Sequence, residues 1–149
     1  MSDQPIHDCI RRWHDCTNGR LEGGLDALLH PDCVFLSPVV FTPQRGREVT
    51  KLYLSAAGGT LAGSTANGPG DGLVVDAASG FRYVKQICDG HQAMLEFETE
   101  VDGKYVNGVD IITCDDEGLI TEFKVMLRPL QAVNAVHAQM KSTLDRLAG

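Results

Sequence analysis

Residues 91–128 read HQAMLEFETEVDGKYVNGVDIITCDDEGLITEFKVMLR. Within them Ala93, Leu95, Phe97, Thr99 and Val101 alternate with Glu96, Glu98 and Glu100. A period of two is a strand with one buried face and, here, one acidic face. Asp102-Gly103 predicts a two-residue turn, because both positions tolerate positive φ. Tyr105–Cys114 is the next strand, and Asp115–Gly118 turns the chain again. Leu119–Arg128 follows, with Phe123, Val125 and Leu127 opposing Glu122, Lys124 and Arg128. The stretch is an antiparallel meander.

Upstream, Phe81–Cys88 predicts a further strand, joined to the meander by an Asp89-Gly90 hairpin. Its facing stays open. A two-residue turn pairs Val84 with Leu95 and points Arg82, Val84 and Gln86 inward. A one-residue change in the turn points Phe81, Tyr83 and Ile87 inward instead. Residues 58–72, GGTLAGSTANGPGDG, hold six glycines in fifteen positions and read as a loop, either a flap or rim or a disordered stretch; from Leu73 the period changes to two. The N-terminal part reads as helices. The first spans residues 3–18, capped by Ser2 or Asp3, with Pro5 in its first turn and Ile6, Cys9, Ile10, Trp13 and Cys16 on one face. A short second helix carries Leu21, Leu25, Leu28 and Leu29 and stops at His30-Pro31. Cys33–Ser37 is a strand ended by Pro38. Gly46 precedes a third helix with Val49, Leu52, Tyr53 and Ala56 on one side. Pro129 starts a last helix, with Leu130, Val133, Val136, Met140, Leu144 and Leu147 as its stripe. This order predicts an α+β fold, with helices packed on one face of a curved antiparallel sheet. Residues 1–149 are expected to form a single domain, without repeat or linker.

Net charge is −7 and the pI about 5.1. Both argue against a nucleic-acid partner and against a polybasic membrane anchor. No apolar run is long enough to span a bilayer, and the N-terminus lacks the pattern of a secretory leader. The five cysteines (9, 16, 33, 88 and 114) form no CxxC, which predicts reduced thiols and a cytoplasmic protein.

A curved sheet with a helix across its mouth encloses a cone, which is either packed core or a pocket. Asp110 is the most informative residue there, because it interrupts an apolar strand. Val106, Gly108, Asp110 and Ile112 share one face; Tyr105, Asn107, Val109, Ile111 and Thr113 share the other. If the Asp110 face is inward, apolar walls raise its pKa and a protonated carboxyl can donate to a ligand oxygen. Otherwise it sits at an interface or in solvent. Trp13, the single tryptophan, reads as core or pocket wall with an indole N–H to donate. The histidines at 7, 14, 30, 91 and 137 show no metal spacing, so no metal and no cofactor is expected. Asp115-Asp116-Glu117 reads as a solvated turn, and Ser37 lacks a nucleophile signature.

The segments HPDCVFLSP (30–38), RGREVTKLYL (45–54) and NGVDIITCDDEGLITEFKVMLRPL (107–130) resemble the nuclear transport factor 2-like superfamily, and within it the SnoaL-like and ketosteroid-isomerase-like proteins. The resemblance covers nearly the whole chain. It implies a cone-shaped (cystatin-like) sheet with three N-terminal helices on its concave side and a C-terminal helix. It turns Val106, Gly108, Asp110 and Ile112 inward. The isomerases place a general-base Asp just before the proline that ends the first strand; that position here is Ser37. They take an oxyanion-hole Tyr from the first helix, where this chain has Trp13, and a protonated Asp, which Asp110 matches. The implied catalytic positions are therefore Asp110, Trp13 and Ser37. The expected pocket wall is Phe35, Tyr53, Leu95, Phe97, Val106, Ile112, Phe123, Val125 and Leu127. His30 and the Gly-rich segment are the remaining candidates for a replacement base. Two functions compete. One is a cofactor-independent enzyme of the isomerase, cyclase or lyase kind acting on a small, mostly apolar carbonyl compound. The other is a non-catalytic binding or interaction module with a degenerate site. Either is expected to be a homodimer through the outer sheet face, with Met94, Ile111 and Met126 and, if they face outward, Phe81 and Tyr83.

Overall fold

The computed structural model describes residues 4–61 and 80–148. Along them run α1 (Pro5–Thr17), α2 (Gly24–Leu28), β1 (Leu29–Leu36), β2 (Gln44–Arg45), α3 (Arg47–Leu61), β3 (Arg82–Asp89), β4 (Gln92–Val101), β5 (Lys104–Cys114), β6 (Ile120–Arg128) and α4 (Leu130–Ala148). The strands form one curved, open sheet in the order β2-β1-β6-β5-β4-β3. The α+β class and the order of the main elements are those expected.

The sheet is mixed rather than wholly antiparallel, because β1 runs parallel to β6. Hairpin signals report only neighbours in sequence, and these two strands are far apart in it. β1 also starts earlier than expected, at Leu29, and carries Pro31. Its partners jump from Leu29↔Ile120 to Val34↔Glu122, so Pro31 falls where the ladder is interrupted and its missing N–H costs little. Ser37 lies just past the strand.

The Asp102-Gly103 turn forms as read: Val101 pairs with Lys104, and the two turn residues have φ of 52° and 75°. The first hairpin is shifted. Asp89 pairs with Gln92, so Gly90-His91 makes the turn. A register irregularity between Tyr83 and Lys85 then divides β3. On one side of it Tyr83 opposes Phe97, and both Phe81 and Tyr83 turn inward. On the other side Gln86 opposes Leu95 and Ile87 points out, 57 % exposed. Each of the two open readings is right for one half of the strand, because a bulge exchanges the faces.

The apolar face of α1 is buried as expected, from Ile6 through Cys9, Ile10 and Trp13 to Cys16. Gln4 is its N-cap and gives no side-chain cap; Ser2 and Asp3 lie outside the described residues. The Ile6 amide instead donates to the Gly90 carbonyl at 3.2 Å, which ties the helix to the first hairpin. α3 buries Thr50, Leu54 and Ala56, leaving Val49, Leu52 and Tyr53 half-buried. It continues to Leu61, so the start of the glycine-rich segment is helical; residues 62–72 lie outside the described residues. In α4 the buried stripe is Ala132, Val136 and Met140, while Leu130, expected inward, is 73 % exposed. The helices cover the sheet face that bears Leu95, Phe97, Val106 and Ile112, all fully buried.

Candidate functional site

Asp110 sits in the middle of β5, between Leu95 on β4 and Val125 on β6. It is 6 % exposed, and it is the one buried residue with an ionisable carboxyl among those described. Burial in this apolar setting pushes its carboxyl up to about 7, against a smaller opposing pull from a hydrogen bond with Tyr83.

The Tyr83 hydroxyl donates to Asp110 Oδ2 at 2.7 Å. The Trp13 indole Nε1–H donates to the Tyr83 oxygen at 3.0 Å. α1, β3 and β5 thus meet in one chain of donors that ends on the carboxyl. Burial, and then the charge of Asp110, hold the Tyr83 phenol well above its ordinary pKa, so it keeps its proton. Packing fixes its ring: Phe81 meets it edge-on at 5.2 Å and Phe97 at 6.3 Å.

This chain forms part of the wall of a cavity of about 50 Å³. One water needs roughly 10–15 Å³, and an apolar cavity that takes benzene is about 150 Å³. The space as it stands suits a few atoms, short of a ring-sized ligand. Trp13, Thr17, Tyr83 and Asp110 are the polar-bearing wall residues. Phe35, Phe81 and Phe123 supply its aromatic part, and Leu54, Val125, Leu127, Val136 and Met140 its aliphatic part. Trp13 packs on Phe123 with ring centroids 4.9 Å apart.

Of the residues singled out in the sequence, Asp110, Trp13, Phe35, Phe123, Val125 and Leu127 meet at this wall. Leu95, Phe97, Val106 and Ile112 are buried but lie outside it. Tyr53 stacks behind Phe35 at 5.4 Å. Ser37 is also off the wall: its Oγ accepts from the Val39 and Val40 amides, at 3.1 and 3.3 Å, and closes the turn after β1. Pro38 takes the place at the cavity. His30 accepts the Asp32 amide through Nδ1 at 2.9 Å and is likewise off the wall. Tyr83 is a polar wall group whose facing the sequence left open and which was not among the expected site residues; the bulge that turns it inward leaves no trace in the strand's periodicity.

Among the described residues no group of three His, Cys, Asp or Glu side chains is placed to hold a metal. Asp115 Oδ1 accepts from the Glu117 and Leu119 amides, both at 2.9 Å, as a turn does. No described helix is long and apolar enough to cross a membrane.

The outer sheet face is different in kind. Ile87, Met94 and Met126 are 57, 44 and 50 % exposed there. Lys85, Glu96, Asn107 and Arg128 border them around a shallow depression. Phe81 and Tyr83, candidates for this face, point away from it.

A steroid delta-isomerase from Pseudomonas aeruginosa is similar to this chain over 97 % of its length and 96 % of the isomerase, with 30 % identity and a TM-score of 0.80. An uncharacterised bacterial protein with a cystatin-like fold from Silicibacter pomeroyi shares 28 % identity over 93 % of this chain and 86 % of its own, with a TM-score of 0.73. An NTF2-like protein of unknown function from Cytophaga hutchinsonii shares the fold at 15 % identity and a TM-score of 0.53, over 89 % of this chain and 97 % of its own. No protein-family model and no curated protein matches the sequence.

Proposed function

The chain belongs to the nuclear transport factor 2-like superfamily, and from that premise we propose that it binds a small, mostly apolar ligand carrying one carbonyl-type oxygen. The ligand's apolar body meets Phe35, Phe123, Val125 and Leu127, and its oxygen meets the Tyr83–Asp110 pair. The observation that carries this reading is a buried carboxyl facing an otherwise apolar cavity. Burying a carboxyl there costs stability, and a site that stabilises a polar ligand atom is the usual return on such a cost. With its pKa near neutrality, Asp110 is suited to take and return a proton at one ligand, without a cofactor. Proton shifts of the isomerase, cyclase or lyase kind are the chemistry this supports. Ser37 offers no base, and no second carboxylate lines the cavity among the described residues. A mechanism with separate acid and base is therefore disfavoured. The protein is proposed to act in the cytoplasm, in keeping with thiols rather than disulfides at its five cysteines.

Native mass spectrometry of the freshly purified protein tests this reading, followed by Asp110→Ala. An added small mass in the wild type that the variant loses is the expected result. No added mass, together with no change in Trp13 fluorescence across a panel of small ketones, overturns it. A second reading is favoured by the outer face, where Ile87, Met94 and Met126 stand exposed. On that reading the chain is a dimeric interaction module, and Asp110 is a satisfied core acid. A homodimer through this face is proposed in either case.

A further inference from the structure

We propose that Cys9 and Cys114 form a modification site, at which a small hydroperoxide oxidises the two thiols to a disulfide joining α1 to the end of β5. The pair lies off the cavity wall, so its chemistry does not depend on what the cavity holds.

The fold brings the two together through one hairpin turn, Gly90-His91, which joins β3 to β4. The Gly90 carbonyl accepts from the Ile6 amide in the first turn of α1, at 3.2 Å. The His91 carbonyl accepts from the Cys114 amide at the end of β5, at 2.9 Å. Cys9 follows Ile6 by one helical turn, on the same buried face. The turn between β5 and β6 closes on the helix as well: a Cβ at Gly118 would stand 3.7 Å from the Pro5 carbonyl oxygen and 3.9 Å from the Cys9 nitrogen. Both cysteines are buried, 0 and 3 % exposed, and the Cys9 thiol donates to the Cys114 sulfur. Sulfurs in hydrogen-bond contact have only the last part of their separation to close.

That hydrogen bond gives the two thiols different roles. Burial, and then Cys114, hold Cys9 well above the ordinary thiol range, so it stays protonated. Burial raises Cys114 as well, but the hydrogen that Cys9 offers its sulfur opposes the rise; Cys114 is the one to ionise. The charged groups around the pair are Asp8 and Arg12 on α1, and Asp115 and Asp116 just after β5. Asp8 holds the proton on Cys9 and Arg12 eases it, while Asp115 and Asp116 hold the proton on Cys114.

The Cys114 thiolate attacks one oxygen of hydrogen peroxide. The O–O bond breaks, and the leaving hydroxide takes up the proton that Cys114 released, as water. Cys114 is then a sulfenic acid. The Cys9 sulfur displaces its hydroxyl, the S–S bond forms, and a second water leaves with the Cys9 proton. One peroxide is reduced to two waters while two thiols lose two electrons and two hydrogens. Gln4 gives α1 no side-chain cap, so the first turn opens most readily, and a molecule of two oxygens enters where a bulky disulfide does not. The link closes a loop of about a hundred residues and ties down the helix that carries Trp13.

The test treats the full, folded chain with hydrogen peroxide, blocks the remaining thiols in denaturant and maps tryptic peptides by mass. Cleavage after lysine and arginine puts the five cysteines in five different peptides, Cys9 in residues 1–11 and Cys114 in residues 105–124. The expected product is these two peptides joined, lighter than their sum by two hydrogens and separated again by a dithiol reductant. Oxidised glutathione is expected to leave the pair reduced over the same time. The linked protein is expected to unfold at higher urea than the reduced one, and Cys9→Ala to show no peroxide-dependent shift. The two peptides recovered separately, whatever becomes of the other cysteines, overturn the proposal. A link that forms as fast in the chain unfolded in urea overturns it too, because random encounter rather than the fold then joins the thiols. A linked protein that unfolds at the same urea as the reduced one overturns the tie on α1.

Discussion

The sheet carries acids on both faces, and the two faces treat them differently. On the outer face Glu98 accepts from Arg82 at 2.7 Å and from the Tyr105 hydroxyl at 2.6 Å. Glu96 accepts from Asn107 at 3.0 Å and stands 3.7 Å from Lys85. These carboxylates keep water and gain cations. On the inner face Asp110 has an uncharged phenol and apolar walls. The contrast shows why one inward acid says more about function than three outward ones. The outer acids follow from the period of a half-solvated strand, whereas nothing in folding requires the inner one.

The sharpest way to test that contrast is the pH dependence of stability, where the largest effect is expected. Asp110 titrates near 3.8 as an ordinary side chain and near 7 in the fold. Below both values it is protonated, folded or unfolded, and contributes no pH dependence. As pH rises between them the unfolded chain gives up the proton and the native state retains it. Stability therefore falls through this window and levels off above about 7. Asp110→Asn removes the loss, so the variant is expected to exceed the wild type at alkaline pH by up to about 4 kcal/mol and to approach it in acid. Urea unfolding of both proteins in acid and in alkali measures the difference. Equal stabilities at alkaline pH would mean that the carboxyl is better solvated than its position implies.

The next effect concerns how the inner face is shaped. Gly108 lies two residues before Asp110 on the same face, with Phe97 opposite. A Cβ added there would run into Phe97 Cζ and stand 2.7 Å from Leu127 Cδ2 and 2.9 Å from the Met126 carbonyl oxygen. The two side chains can give way, but the carbonyl belongs to the ladder. Gly108→Ala is expected to cost about 1–3 kcal/mol. Because Phe97 stacks on Phe81 at 5.0 Å and meets Tyr83 edge-on, the substitution is also expected to disturb the Tyr83–Asp110 pair. Thermal unfolding and the Asp110 titration, read together, check both parts.

The two faces were also unequally legible in the sequence. The alternation of residues 93–101 identifies the outer acids and the inner Leu95, Phe97 and Thr99 without other help. Asp102-Gly103 sets the next register by turn chemistry alone. With the resemblance added, Asp110 is placed inward. Tyr83 was legible only as one of two open alternatives, because its direction depends on a bulge between Tyr83 and Lys85 that no local pattern encodes. The parallel β1–β6 pairing is hidden for a related reason: it is a contact between distant segments. Ser37 illustrates a different limit. The position matched to the isomerases' base has its Oγ engaged by the Val39 and Val40 amides, which a short hydroxyl side chain accepts readily after a strand, and no local pattern announces that bond.

The smallest effect completes the comparison from the outside. Glu98 is 27 % exposed at its side chain and Arg82 is 65 % exposed, so water screens their ion pair. Pairs of this kind contribute less than about 1 kcal/mol. A double-mutant cycle with Arg82→Met and Glu98→Gln is expected to return a coupling in that range, weakened further by salt. Asp110 behaves differently under the same treatment, because no mobile ion replaces its apolar surroundings; the alkaline penalty on its stability is expected to persist in high salt. A salt-sensitive Asp110 effect, or a salt-insensitive Glu98 one, would mean that the two faces are not the distinct electrostatic environments their packing describes.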